Sequence, residues 1–276
     1  MRLRALLGDY PVTAALKKGA VRSPRLELDF ADVARPQAAF KRVVRDLEFD
    51  VAELALVTFL LARAHGKPLV LLPAVLTARF QHPMLLYNAE RGPLAPGDLG
   101  GKRIGIRSWS VTTAVWIRGI LADDFGVDLQ SVRWVTFEEP HVAEFRDPPG
   151  VERAAAGKEI GAMLLAGELD AAVLGEPSAD PRLRPLIPNP EAAARAWREK
   201  HGALQINHMV SVKRSVPADA AQEVYRLLEA SRSAAGDPPM NPFGAAANRR
   251  NLEVAIDCVH RQGMIPRRFT PEELYA

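Results

Sequence analysis

The order of signals along this chain predicts an α/β fold with mainly parallel sheets. Short apolar runs alternate with helical patterns from one end to the other. One run, Leu69 to Leu76, is almost continuously apolar, as expected of a strand covered on both faces. Turn-rich breaks such as Pro93-Leu94-Ala95-Pro96-Gly97 separate successive groups of elements.

The elements follow in order. Leu3 to Leu7 reads as a strand ending at Gly8-Asp9-Tyr10, and Pro11 opens a short helix to Lys18, since proline suits a first helical turn. Arg25 to Phe30 alternates like a strand, and Pro36 to Leu47 is amphipathic at helical spacing. Asp50 followed by Glu53 has the spacing of a capping box, which predicts a helix running from there to about His65. Strands are then expected at Leu69 to Leu76, Met84 to Tyr87, Arg103 to Ile106, Val132 to Thr136, Asp170 to Leu174, Leu183 to Ile187 and Met209 to Val212. Helices are expected at 111–124, 157–166, 190–201, 217–233 and 246–262, with a short turn at 271–274. Parallel neighbours imply right-handed crossovers.

Bulk properties narrow the function. The 276 residues are 48% apolar and 25% charged, the balance of a globular protein with a sizeable core. A net charge of +3, with basic residues spread along the chain, does not suit a nucleic-acid binder. Cys258 is the single cysteine, so no intrachain disulfide forms, and its helical context makes it a small buried apolar residue. No segment has the length of a membrane span. The N-terminus reads as a first strand rather than a secretory signal, from which a cytoplasmic location is expected. A small molecule is therefore the expected partner, with no nucleic acid and no membrane; a homo-oligomer is left open.

The segment Asp98 to Leu121 carries the sharpest signal. A short strand runs into Ser108, Ser110, Thr112 and Thr113, and a helix follows at once. Unpaired backbone N–H groups and the positive end of a helix dipole meet at such a junction, which suits a small carboxylate. The same hydroxyls also fit an ordinary capped helix.

The chain resembles a known family at many points. DLGGKRIGI before a hydroxyl-rich helix start, and the later GELDAAVLGE, resemble the type II periplasmic-binding-protein fold. Within it, GDY at 8–10, RDLEFDVAEL at 45–54, RFQHPMLLY at 79–87 and TTAVWIRGILADDFGVD at 112–128 resemble the 4,5-dihydroxyphthalate decarboxylase family. So do RWVTFEE at 133–139, INHMVSVKR at 206–214, ANRRNLE at 247–253 and FTPEELYA at 269–276. The resemblance implies two α/β lobes, 1–87 with 208–276 and 88–207, joined by two crossing strands, with ligand in a central cleft. Where the family commonly has a Glu-Tyr-Gln-like triplet, this chain has Ser108-Trp109-Ser110, which replaces an acid and a phenol by two hydroxyls and an indole.

That family's chemistry sets tasks for particular residues. Losing one carboxylate of a dihydroxylated phthalate requires the other to be anchored. The hydroxyl para to the leaving group must lose a proton, and the carbon that bears the leaving group must gain one. Arg79 is the candidate anchor, because guanidinium meets carboxylate in a bidentate way; it also reads as a surface arginine after a strand. Thr112 and Thr113, with Ser108 and Ser110, are candidates for the second carboxylate, and Asp9 follows the first strand where ligands gather. Trp109 reads either as a stacking partner for an aromatic ring or as a packing residue. His82 and His208, near the two expected crossings, are the candidate proton carriers. Glu53 reads as a base at the mouth of the cleft or as a helix-capping residue.

His82, His208 and a carboxylate lack any HxH, HExxH or CxxC spacing, so no metal is expected, and Gly100-Gly101 with Gly105 forms no dinucleotide or phosphate loop; no cofactor is expected. The leading expectation is a cofactor-independent decarboxylase of a hydroxylated aromatic carboxylate. The alternatives are a non-catalytic solute-binding protein for a small carboxylate, and another lyase or dehydratase of the same superfamily.

Overall fold

In a computed structural model that describes residues 1–176 and 178–276, the first stretch of chain runs β1 (Arg2–Leu6), α1 (Pro11–Lys17), β2 (Glu27–Phe30), α2 (Phe40–Arg45), β3 (Val51–Ala55), α3 (Leu56–Ala64) and β4 (Leu69–Ala78). The middle runs β5 (Leu85–Asn88), β6 (Arg103–Ile106), α4 (Thr112–Phe125), β7 (Arg133–Thr136), β8 (Glu152–Arg153), α5 (Ile160–Ala166), β9 (Ala171–Val173), β10 (Leu183–Pro185) and α6 (Pro190–His201). The last part is β11 (Ile206–Lys213), α7 (Ala218–Ala234), α8 (Ala245–Arg261) and α9 (Pro271–Leu274). Among the described residues no helix is long and apolar enough to cross a membrane.

The chain divides into two units. The first comprises Met1–Arg79, His141–Glu144 and Leu204–Ala276; the second comprises Phe80–Pro140 and Phe145–Ala203. The first holds a five-stranded sheet in the order β2-β1-β3-β11-β4. Its strands β2, β1 and β3 pair in parallel, and β11 runs antiparallel to both β3 and β4. Leu3, Ala5 and Leu7 pack with Val12 and Leu16 of α1 and Val224, Leu227 and Leu228 of α7 into its core. The second unit holds a six-stranded sheet, β10-β5-β9-β6-β7-β8, whose β9, β6, β7 and β8 are parallel. Gly105 in β6 sits under a close contact: a Cβ would lie 2.6 Å from Leu169 Cδ1 and 3.1 Å from Ile160 Cγ1, so glycine lets α5 pack closely on the sheet.

Three sequence expectations need correction. Leu69 to Leu76 is a buried strand but belongs to no parallel pair; an apolar run signals burial on both faces and does not encode direction. The other edge of β4 is covered by the 241–244 segment, through Val75 N–H to Pro242 O at 3.4 Å and Gly244 N–H to Pro73 O at 2.9 Å. Second, Asp50 to Glu53 does not start a helix. Val51–Ala55 is a strand, and α3 begins only at Leu56. The run VAELALVTFLLARA is apolar almost throughout, so periodicity gives no mark where strand becomes helix. Asp50 instead accepts from Arg4 N–H at 2.9 Å and Lys213 Nζ at 3.0 Å, tying β3 to both neighbours. Third, the expected helix Pro36 to Leu47 is a 3-10 turn, Pro36–Ala39, followed by α2, and it stops at Arg45 before Leu47 with its positive φ of 49°.

Candidate active site

The first unit builds a polar cluster where β1 ends. Leaving that strand, the chain turns at Gly8-Asp9-Tyr10 into α1. Thr13, fully buried, holds the turn: its hydroxyl donates to Gly8 O at 2.7 Å and accepts from Tyr10 N–H at 3.0 Å. The tyrosine ring folds back over Gly8. A Cβ at position 8 would lie 2.6 Å from two of its ring carbons and 2.7 Å from its hydroxyl, so only glycine admits this fold-back.

The ring brings the Tyr10 hydroxyl to Glu53. The middle of β3 places Glu53 beside β1, and its residue is 0% exposed. A buried carboxylate needs partners on both oxygens. Oε2 accepts from Gly8 N–H at 2.8 Å. Oε1 accepts from the Tyr10 hydroxyl at 2.7 Å and lies 2.6 Å from His208 Nδ1. His208 comes from β11, which pairs it with Ala55. Burial, then the nearby Glu53 charge, push the Tyr10 phenol well above its ordinary range, so it stays a neutral donor.

This geometry redefines Glu53. Rather than standing at an open mouth or capping a helix, it is an enclosed anion that orients an imidazole. With Nδ1 engaged by the carboxylate, the ring directs Nε2 the other way, and the side chain of His208 keeps 13% exposure. A carboxylate-held imidazole with its far nitrogen available is the arrangement used for general acid–base work.

A second imidazole flanks the cluster. His141 is buried, with Nδ1 2.9 Å from Thr58 Oγ1 in the first turn of α3 and its carbonyl accepting from Arg45 Nε at 2.8 Å. Phe40 sets its edge between the two histidines, with ring centroids 5.6 Å from His141 and 5.3 Å from His208. The sequence reading missed Tyr10, Phe40, Thr58 and His141 as site residues. The first had a usable signal, the Gly-x-Tyr turn after a strand; the others sit in runs with no distinguishing spacing.

The remaining candidates fall elsewhere. Asp9 points away: its side chain is 84% exposed and paired with Lys17 Nζ at 2.5 Å. Arg79 closes the first unit, its N–H donating to Gln205 O at 3.2 Å. Ser108, Ser110, Thr112 and Thr113 are all buried in the second unit around the start of α4. Among the described residues the Ser108 hydroxyl has no hydrogen-bond partner. The Trp109 indole is 8% exposed, with the fully buried Arg118 guanidinium 3.8 Å from its ring centre and Trp134 edge-on at 5.9 Å. Arg118 Nη2 also donates to Trp109 O at 2.9 Å, so these contacts describe a packing role.

His82 lies in the second unit, on the 3-10 turn His82–Met84, and His208 in the first. Burial pulls the His82 imidazole down to about 4, only partly offset by Asp124, so the ring is neutral near neutral pH. The unfolded chain then takes up a proton that the folded one refuses. Stability is full above about pH 6.5 and falls as pH drops toward 4, by roughly 3 kcal/mol in total. His82→Gln should flatten this part of the profile; urea unfolding at pH 7 and pH 4.5 checks it, and an unchanged pH slope in the variant would refute the assignment. Among the described residues no group of three His, Cys, Asp or Glu side chains is arranged to hold a metal ion.

No protein-family model matches the chain. A 4,5-dihydroxyphthalate decarboxylase of Comamonas testosteroni is 30% identical, with all of this chain aligned to 96% of that enzyme. The chain belongs to the 4,5-dihydroxyphthalate decarboxylase family. A second member, from Pseudomonas putida, is 30% identical over 71% of this chain and 81% of its own. Among solved structures, the alkanesulfonate-binding protein of Xanthomonas axonopodis pv. citri superposes with a TM-score of 0.60 at 15% identity, covering 99% of this chain and 97% of that one. The periplasmic aliphatic sulphonate binding protein of Escherichia coli gives 0.57 at 13%, covering 99% and 96%. These likenesses establish that this family member has a periplasmic-binding-protein-like fold.

Proposed function

We propose that this protein removes one carboxylate, as carbon dioxide, from a hydroxylated aromatic dicarboxylate of the 4,5-dihydroxyphthalate type. The observation that carries the reading is the Glu53–His208 pair at 2.6 Å, in a chain whose relatives bear that activity in their names. Decarboxylation of an electron-rich ring is proton bookkeeping around one carbon. His208 accepts, at Nε2, the proton of the hydroxyl para to the leaving carboxylate. The resulting imidazolium, steadied by the buried Glu53 charge, delivers a proton to the carbon that bears the leaving group. The bond from that carbon to the carboxylate then breaks, its electron pair restores the aromatic ring, and carbon dioxide departs. One proton enters the ring for each carbon dioxide released, and the phenolate that rearomatisation leaves takes a proton from solvent, so the step balances.

Retaining the other carboxylate is a task of charge and N–H donors. The Arg79 guanidinium, in the same unit as His208, suits that role; Ser108, Ser110, Thr112 and Thr113, buried around the first-turn amides of α4, form an anion-suited group within the second unit by itself. The test is direct incubation with 4,5-dihydroxyphthalate, with release of carbon dioxide and dihydroxybenzoate as the expected outcome. Saturable binding without turnover would instead identify a solute-binding protein.

A further inference from the structure

We propose that Tyr10 is a positioning residue that sets where His208 titrates, through the one Glu53 oxygen that both of them share. The Tyr10 hydroxyl and His208 Nδ1 converge on Oε1 at 2.7 and 2.6 Å, while Gly8 N–H occupies Oε2. A carboxylate divides its negative charge among its donors. Each hydrogen bond from a third group lowers the potential felt by the imidazole, and so lowers the preference for imidazolium over imidazole. Tyr10 therefore works against Glu53. The carboxylate attracts an imidazolium, and the phenol draws on the same oxygen and weakens that pull.

The arrangement is built rather than incidental. Gly8 lacks the Cβ that would displace the tyrosine ring, and Thr13 fixes the turn. The phenol stays protonated, because burial and the Glu53 charge both oppose its ionisation. Other ionisable groups are placed differently. Asp50, just before β3, is paired with Lys213 at the far end of β11, and Arg63 lies in the last turn of α3 against the C-terminal segment. Arg79 follows β4, Asp9 turns outward to Lys17, Arg42 and Arg45 of α2 are engaged by Glu48 and the His141 carbonyl, and the Phe40 ring stands beside both His141 and His208. Among the described residues Tyr10 is thus the ionisable side chain that shares the oxygen holding His208.

The inference rests on the acid–base role proposed for His208, and its test separates the two claims. Long-range proton–nitrogen NMR of the full chain follows the His208 ring across pH in the wild type and in Tyr10→Phe. Loss of the phenol donor should raise the His208 midpoint by about one pH unit. Gly8→Ala, which forces the tyrosine ring away from Glu53, should move it in the same direction. A midpoint that stays put or falls in Tyr10→Phe would overturn the proposal. The pH–rate profile with 4,5-dihydroxyphthalate is the second readout. If the rate profile shifts with the NMR midpoint, both claims stand. If the NMR midpoint rises while the rate profile does not follow, the tuning by Tyr10 stands and the acid–base role of His208 falls.

Discussion

His208→Gln should lower kcat on 4,5-dihydroxyphthalate by about 10²–10⁴-fold, the range of a lost general acid–base. The glutamine amide can still donate to Glu53 Oε1, where His208 Nδ1 now sits at 2.6 Å, so the buried carboxylate keeps a partner. What disappears is a group that takes up and gives back a proton during turnover. His208→Ala would remove both functions and leave the fully buried Glu53 with one donor fewer, which adds a folding cost to the catalytic one. The glutamine variant is the cleaner probe. Steady-state kinetics beside a thermal unfolding curve checks it: a large fall in kcat with an unfolding midpoint near the wild type is expected. Activity within a few-fold of wild type would show that the proton travels by another route.

Glu53→Gln should affect both rate and stability. The wild-type carboxylate is acceptor-only and receives Gly8 N–H, the Tyr10 hydroxyl and His208 Nδ1. An amide in its place turns one acceptor into a donor, so at least one of those buried donors is left without a partner, at a cost of about 1–3 kcal/mol. For a chain this size that lowers the unfolding midpoint by several degrees. The rate falls too, because the imidazolium formed during turnover loses the anion that steadies it. Denaturant unfolding and kcat measured on the same preparation test this. A variant that is both as stable and as active as wild type would mean that the cluster carries neither role.

Much of the architecture was legible in the sequence. The alternation of short apolar runs with helical patterns gave the α/β class, and α4, α6, α7 and α8 lie within a few residues of their expected bounds. Strand direction was not legible, because β4 looks alike whether its neighbour runs with it or against it. The strand-to-helix switch at Ala55–Leu56 was hidden for a related reason: both elements are buried on every side, so neither the period of 2 nor that of 3.6 stands out. That concealment also misplaced Glu53, which looked like a capping residue and is the enclosed anion of the cluster.

Of the candidate cluster, the sequence offered Glu53 and His208. His208 stood out as a titratable residue at an expected crossing. His82 carried the same signal, but its surroundings give it the opposite character: a buried ring held neutral. Sequence spacing does not distinguish the two, because the difference lies in a carboxylate 155 positions from His208 along the chain. Tyr10 and His141 were missed for the same reason, since what gives them meaning is the convergence of β1, β3, α3 and β11 at one end of a sheet.

The most direct test of the central claim is one assay, run on the wild type and on His208→Gln: carbon dioxide released at saturating 4,5-dihydroxyphthalate. The wild type should yield one carbon dioxide and one dihydroxybenzoate for each substrate consumed, and the variant should slow both by the same large factor. Tight binding of the substrate by the wild type with no carbon dioxide evolved would contradict it.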